Sequence, residues 1–249
     1  MRRTTIVAGV AAIGAGVLGV TWFALYLAQP ILGFEDTDDP ALGVEFVRSH
    51  PDIFTATGTA LILMAIVLVI AVTSVAATAR EGRDSWGLRS VAAFGLFAAL
   101  CFLVFGVMRI GAVGPLQHIA SLDAAWGETA YLVVQMAGVQ GVLPAGLLAL
   151  GVWAAGLSLI GLRTRLIPLA VAVLGVVPAV HVLGRLVGNL GVLPDEAWLL
   201  MVVSIPGTLA WCLLLGVGLL IRGLRMAEDG AAEGSAPSTG PSGVAADGA

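Results

Sequence analysis

Apolar residues fall along this chain in six long blocks, at 4–29, 53–79, 90–112, 129–162, 166–188 and 197–221, separated by short polar stretches. None alternates with the period of two that marks a half-buried strand, and each is apolar all the way round, as lipid demands of a helix. A transmembrane helix needs about 20 such residues to cross about 30 Å of hydrocarbon. The pattern predicts an all-α, polytopic bundle of six transmembrane helices over residues 1–226. The segment 227–249, rich in Ala, Gly, Ser, Pro and acids, has almost nothing to bury and predicts a disordered tail.

At 1.5 Å per residue the fourth block makes a helix of about 51 Å, more than one bilayer needs, and Pro144 lies inside it. One long helix kinked at Pro144 is expected, because dividing the block would move Arg163 and Arg165 away from the side that holds the other loop arginines. The first block follows Arg2 and Arg3 as a secretory leader would. Its apolar run exceeds about 15 residues and no small-residue cleavage pattern follows, so a retained helix is expected.

Arginine placement orients the chain. Arg2, Arg3, Arg80, Arg83, Arg89, Arg163, Arg165, Arg222 and Arg225 fall on one side, nine of the twelve basic residues, which predicts both termini in the cytoplasm. Most acids, among them Glu35, Asp36, Asp38, Asp39, Glu45, Asp52, Asp123 and Glu128, fall on the other. Trp22, Tyr26, Trp126, Tyr131 and Trp198 lie at the outer ends of their blocks, where amphipathic rings suit the headgroup zone. Within the first outer loop, Asp39 before Pro40 is a helix start, Leu42, Phe46 and Val47 follow at helical spacing, and Pro51 closes the segment. A short interfacial helix is expected there.

Composition narrows the function classes. The chain is 59% hydrophobic and 11% charged, where a soluble domain carries about a quarter charged residues. The polar remainder is too small for a soluble catalytic or nucleic-acid-binding module, so the lipid bilayer is the first partner and no nucleic acid is expected. All basic residues are Arg and Asn189 is the single Asn, a bias that a GC-rich coding sequence explains. Cys101 and Cys212 fall inside apolar blocks and read as small buried residues rather than a disulfide framework.

Motif chemistry is thin. Gly14-Ala-Gly16-Val-Leu-Gly19 spells GxGxxG, but that fingerprint works only between a strand and a helix outside the membrane, so here it reads as a packing face. Gly156-Leu-Ser158 with His181 loosely matches the Gly-x-Ser and distant His of rhomboid proteases, at depths that do not meet. A metal site on His50, Asp52 and His118 has no spacing motif behind it, and His181 alone inside a helix does not make a bis-histidine haem site. No catalytic residue, metal site or cofactor is assigned.

The informative residues are polar ones inside apolar blocks, because an ionisable group in hydrocarbon faces protein or water. Arg109, Gln135, Gln140, His181 and Arg185 all fall in the outer halves of their blocks, with Ser204 and Thr208 at similar depth. They form a candidate pocket for a small anionic or amphipathic solute, with the two arginines holding the negative group, His181 tuning it and the two Gln orienting it. The plainer reading is that Arg109 and Arg185 snorkel to the interface and pair with Glu128 and Glu196. Pro144, Pro178 and Pro206 interrupt the last three blocks and would free the carbonyls of Gln140, Leu174 and Val202. Ala8, Ala12 and Gly16, and again Ala137, Gly141, Ala145 and Ala149, form small-residue stripes suited to helix contacts within one bundle or to a homodimer seam.

The layout as a whole has an Arg-led first helix, an acidic outer loop with a short helix, and Arg-bearing turns such as Gly161-Leu-Arg-Thr-Arg-Leu-Ile-Pro168. It resembles the six-helix bacterial inner-membrane proteins grouped as domains of unknown function. That resemblance implies a multi-pass protein of a bacterial plasma membrane and assigns no functional residue. The leading expectation is a non-enzymatic accessory, structural or sensing protein, with a solute carrier or binder second and a lipid-modifying enzyme third.

Overall fold

The computed structural model describes residues 2–34, 39–78, 85–165, 167–189 and 197–234, with the side chains at 2, 85–86, 181, 185–189, 197–203 and 227–234 left out. All regular structure among them is helical: α1 (Arg2–Ile31), α2 (Pro40–Ser49), α3 (Pro51–Thr78), α4 (Ser85–Leu122), α5 (Ala124–Gln135), a π-helical stretch (Met136–Val142), α6 (Leu143–Thr164), α7 (Leu169–Leu174), α8 (Val176–Asn189) and α9 (Ala197–Gly234). Five helical stretches are long and apolar enough to cross a membrane: Arg3–Ile31, Pro51–Thr78, Gly87–Leu122, Ala124–Thr164 and Ser204–Met226. The expected fifth helix is broken into α7 and α8, whose apolar stretch, Leu169–Gly184, is shorter than these five.

Pro178 causes the break. It has no N–H to give the carbonyl of Leu174, and α7 ends at that residue. Gly175 then turns its own N–H back to Ala172 at 3.2 Å. The carbonyl of Val171 accepts instead from the indole N–H of Trp211 on α9, at 3.0 Å. Interrupted backbone at membrane depth survives because a buried side chain supplies the missing donor. Pro144 acts differently: the chain stays helical from Ala124 to Thr164 and takes up the missing bond in the wider π turn just before the proline.

Consecutive long elements run antiparallel. On the α1–α9 seam Gly9 meets the backbone at Leu220 and Gly216 meets that at Ile13, each with room for no Cβ. Gly58 and Gly106 face each other between α3 and α4, Gly146 packs on Phe102 between α6 and α4, and Gly207 meets Val177 between α9 and α8. The helices close into a ring, α1–α3–α4–α6–α8–α9 and back to α1. Within it Trp153 and Trp211, both 2% exposed or less, meet edge to face with ring centroids 5.8 Å apart. With Leu68, Phe102, Leu150 and Leu215 they make a dry apolar core.

The GxGxxG glycines are a packing face, with Gly14 on Val67 of α3 and Gly16 on Leu213 of α9. Ala8 and Ala12 are buried in the same seam, so the first small-residue stripe is used within the chain. Ala137 and Gly141, in contrast, face outward.

Antiparallel alternation gathers Arg3, Arg89, Arg163, Arg165, Arg222 and Arg225 at one end of the bundle and α2 at the other. At the α2 end the structure departs from the sequence reading: residues 113–122 continue α4, and α5 starts directly after Asp123, whose carboxylate caps it by accepting from the Ala125 N–H at 2.8 Å. The stretch 113–128, expected as a loop, is the tip of a helical hairpin in which Gly127 lies against Ala120. The short helix forms where expected, capped by Asp39 (2.9 Å to the Ala41 N–H). It packs Val44, Phe46 and Val47 onto a second apolar cluster with Phe34, Phe54, Ala112, Leu116 and Tyr131, and leaves Leu42 exposed. α9 runs to Gly234, into the first part of the expected tail, and residues 235–249 lie outside the described residues.

Candidate functional site

Eight polar or charged side chains are buried among the described residues: Thr5, Gln29, Thr57, Arg109, Gln135, Ser158, Ser204 and Thr208. Helix registers place all of them except Thr5 and Ser158 toward the α2 end. Gly58 abuts the Arg109 Cβ, Gly138 abuts Phe105, and Gly19 meets Leu209. Arg109 is thus level with Thr57 on α3 and within about a turn of Gln135 on the α5–π junction, while Thr208 lies lower, level with the middle of α1 near Gly19.

Two of the hydroxyls at the α2 end are answered inside their own helices. Thr57 donates to the carbonyl of Phe54 at 2.9 Å, and Thr208 to that of Ser204 at 2.9 Å. Arg109 is not. It is 3% exposed, and its guanidinium carbon sits 3.9 Å above the centre of the Phe54 ring and 5.8 Å from that of Phe105. One ring belongs to the apolar cluster under α2 and the other to the bundle core, so the cation occupies the joint between them. Its Nε and Nη2 have no hydrogen-bond acceptor among the described residues. The snorkelling reading therefore does not hold for Arg109: the side chain turns inward, and neither Glu128 nor any other described acid pairs with it.

Two more donors at this end share that condition. The Trp22 indole N–H and the Gln29 amide nitrogen are buried without a described partner. Both belong to α1, whose Trp22 and Tyr26 rings lie 6.0 Å apart. Trp22 and Tyr131, expected as headgroup anchors, are each 2% exposed and point into the bundle, whereas Trp126 is 72% exposed. Trp198 lies outside the described side chains.

α2 lies over this layer. Phe46 stacks between Phe34 (4.8 Å) and His50 (5.1 Å), Gly43 sits against the Tyr131 ring, and Gln117 donates to the Val47 carbonyl at 3.4 Å. Below it lies the buried apolar core around Trp153 and Trp211. The arrangement is a shallow polar layer, rich in N–H groups and poor in acceptors, set in apolar walls.

Of the five residues singled out by sequence, Arg109 and Gln135 are buried in this layer, while Gln140 is exposed on the outer surface of the bundle. The side chains of His181 and Arg185, on α8, lie outside the described residues, as does Glu196. Sequence reading missed Phe54, Phe105 and Tyr131 around Arg109, and Trp22 and Gln29 as buried donors at the same end. Gln29 left a signal, a lone amide in the last turns of an apolar block. Among the described residues no three His, Cys, Asp or Glu side chains gather as metal ligands, and His50, Asp52 and His118 do not form such a group.

No family model matches this chain, and no curated protein and no solved structure is significantly similar to it.

Proposed function

We propose that this chain is a non-enzymatic, multi-pass protein of a bacterial plasma membrane that recognises a small anionic or amphipathic solute at its outer end through Arg109. The observation that carries this reading is a buried guanidinium with two nitrogens unanswered by any acceptor among the described residues. A carboxylate or phosphate oxygen is the group that suits such a fork of donors. Trp22 and Gln29 add neutral donors, Gln135 adds an amide at the same depth, and the Phe54 and Phe105 faces favour an apolar portion of the same solute. His181 and Arg185 extend the site along α8 in this proposal. Among the described residues no nucleophile or acid–base pair accompanies Arg109, which favours binding or sensing over bond-making.

Six crossings with both termini cytoplasmic are part of the proposal. α7 and α8 together span 169–189, about 31 Å at helical rise, and lie antiparallel to α9 from Pro168 beside Gly218 to Val177 beside Gly207. The clustering of arginines at the end opposite α2 supports that end as cytoplasmic. A homodimer seam built on small residues would use the outward-facing Ala137 and Gly141, since the α1 stripe is occupied by α9.

Thermal unfolding of the detergent-purified protein against short-chain and long-chain carboxylates and phosphate monoesters tests the assignment. A solute at 100 times its dissociation constant adds about 2.7 kcal/mol of stability. One anion class should raise the unfolding temperature of the wild type and leave Arg109→Met unmoved. A response that Arg109→Met retains would remove Arg109 from the site, and a wild type indifferent to every anion would favour a purely structural accessory role.

A further inference from the structure

At the opposite end of the molecule a groove of about 920 Å³ runs between the end of α6, the turn into α7 and the last turns of α9. Its walls are apolar and open sideways. Leu162, Leu169, Leu214, Val217 and Ile221 line it, each at least 44% exposed, so the groove opens on the outward apolar surface of the bundle. Its mouth is cationic: Arg165, Arg222 and Arg225 line it, and among the described residues no acid is in its lining.

Local structure builds that mouth. Arg165 ends α6 in the left-handed conformation, at φ 53° and ψ 28°, which a residue with a Cβ rarely adopts. The turn is held there by its carbonyl, which accepts from the Arg222 Nη1 at 3.0 Å. Gly218 lets Pro168 approach α9, and Gly161 lets Ile167 approach α6. The turn therefore tucks down between the two helices, and Arg222 and Arg225, three apart on α9, stand beside it at the level where an apolar wall gives way to polar solvent.

We infer that this groove holds one anionic phospholipid of the leaflet at the arginine-bearing end, its acyl chains along Leu162, Leu214 and Val217 and its phosphate at Arg165, Arg222 and Arg225. Charge complementarity chooses the headgroup, since basic pockets between transmembrane helices select anionic lipids over zwitterionic ones. The apolar length of the groove chooses a lipid over a soluble phosphate, which would leave those walls unused. The inference is independent of the Arg109 site, which lies at the other end of the bundle.

Native mass spectrometry of the delipidated full chain, titrated with a dioleoyl phosphatidylglycerol and its phosphatidylcholine counterpart, tests it. One phosphatidylglycerol should bind in preference to phosphatidylcholine. Removing each arginine should lower that preference about fivefold, so Arg222→Ala with Arg225→Ala should lower it about 25-fold. Arg89→Ala, at the same end but outside the groove, should keep the preference, and Val217→Trp, which fills the groove with the arginines intact, should lose the bound lipid. Should the double alanine variant not fold, the Val217→Trp comparison stands alone. Equal binding of the two lipids, unchanged binding in Val217→Trp, or full displacement of the lipid by glycerol 3-phosphate would each overturn the inference, the last by making the site one for a soluble anion.

Discussion

Replacing Arg109 by Met should make the solute-free protein more stable. An arginine at membrane depth costs about 2.5–3.5 kcal/mol on an insertion scale, and here two of its nitrogens lack an acceptor among the described residues, so little of that cost is offset by hydrogen bonding. What holds it is the aromatic pair, Phe54 at 3.9 Å and Phe105 at 5.8 Å, together about 2 kcal/mol for a desolvated cation. Methionine keeps the length of the side chain, buries a comparable apolar stem and adds sulfur–aromatic contact of about 1 kcal/mol. The difference favours Met by about 2 kcal/mol, a rise of about 4–8 °C in unfolding temperature for a chain of this size. A merely structural arginine gives the opposite sign, because breaking a satisfied buried charge network costs about 3–5 kcal/mol. Thermal unfolding of both proteins in the same detergent, followed by the intrinsic fluorescence of the tryptophans, measures the sign directly. A variant destabilised by more than about 1 kcal/mol would refute the idea that Arg109 is kept for recognition at the expense of stability.

Two further outcomes follow from packing and topology. Gly216→Ala should destabilise the protein by about 1–3 kcal/mol, because its Cβ would come within 2.6 Å of the Ile13 backbone nitrogen, whereas Gly111→Ala, with open space around it, should stabilise α4 by about 0.5–1 kcal/mol; chemical or thermal unfolding of the two variants decides, and equal shifts would contradict the α1–α9 seam. Cys101 and Cys212 are buried, so single exposed cysteines introduced as Glu45→Cys and Thr164→Cys can be labelled against a low background. In intact cells an impermeant maleimide should modify the first and spare the second, and the reverse would invert the proposed orientation.

Much of the outline was written in the order of residues. Long apolar blocks determine helices because lipid leaves the backbone no other way to satisfy itself, Asp39-Pro40 determines where α2 begins, and Pro178 determines where the fifth helix breaks. The hairpin at 113–128 hid behind Pro115, Gln117 and His118, which read as loop; its signal was the spacing of Ala112, Leu116 and Ala120, one face of a helix that buries against α5 and α2. Gln135 and Gln140 both fall in the outer half of one block, yet the π-helical stretch that begins after Gln135 leaves the first buried and the second exposed.

What sequence could not decide is direction around each helix. A soluble helix announces its inner face by contrast with a polar outer one, but a helix in lipid is apolar on both, so the pattern carries depth and little azimuth. Whether Arg109 reaches out to Glu128 or turns inward between Phe54 and Phe105 depends on which neighbours stand beside it. The same holds for Trp22 and Tyr131, which could have anchored at the headgroups and instead line the interior. Only the closing of the ring, with α2 folded over one end and the α6–α7 turn tucked into the other, brings the unanswered donors of one end and the arginine-rimmed groove of the other into being.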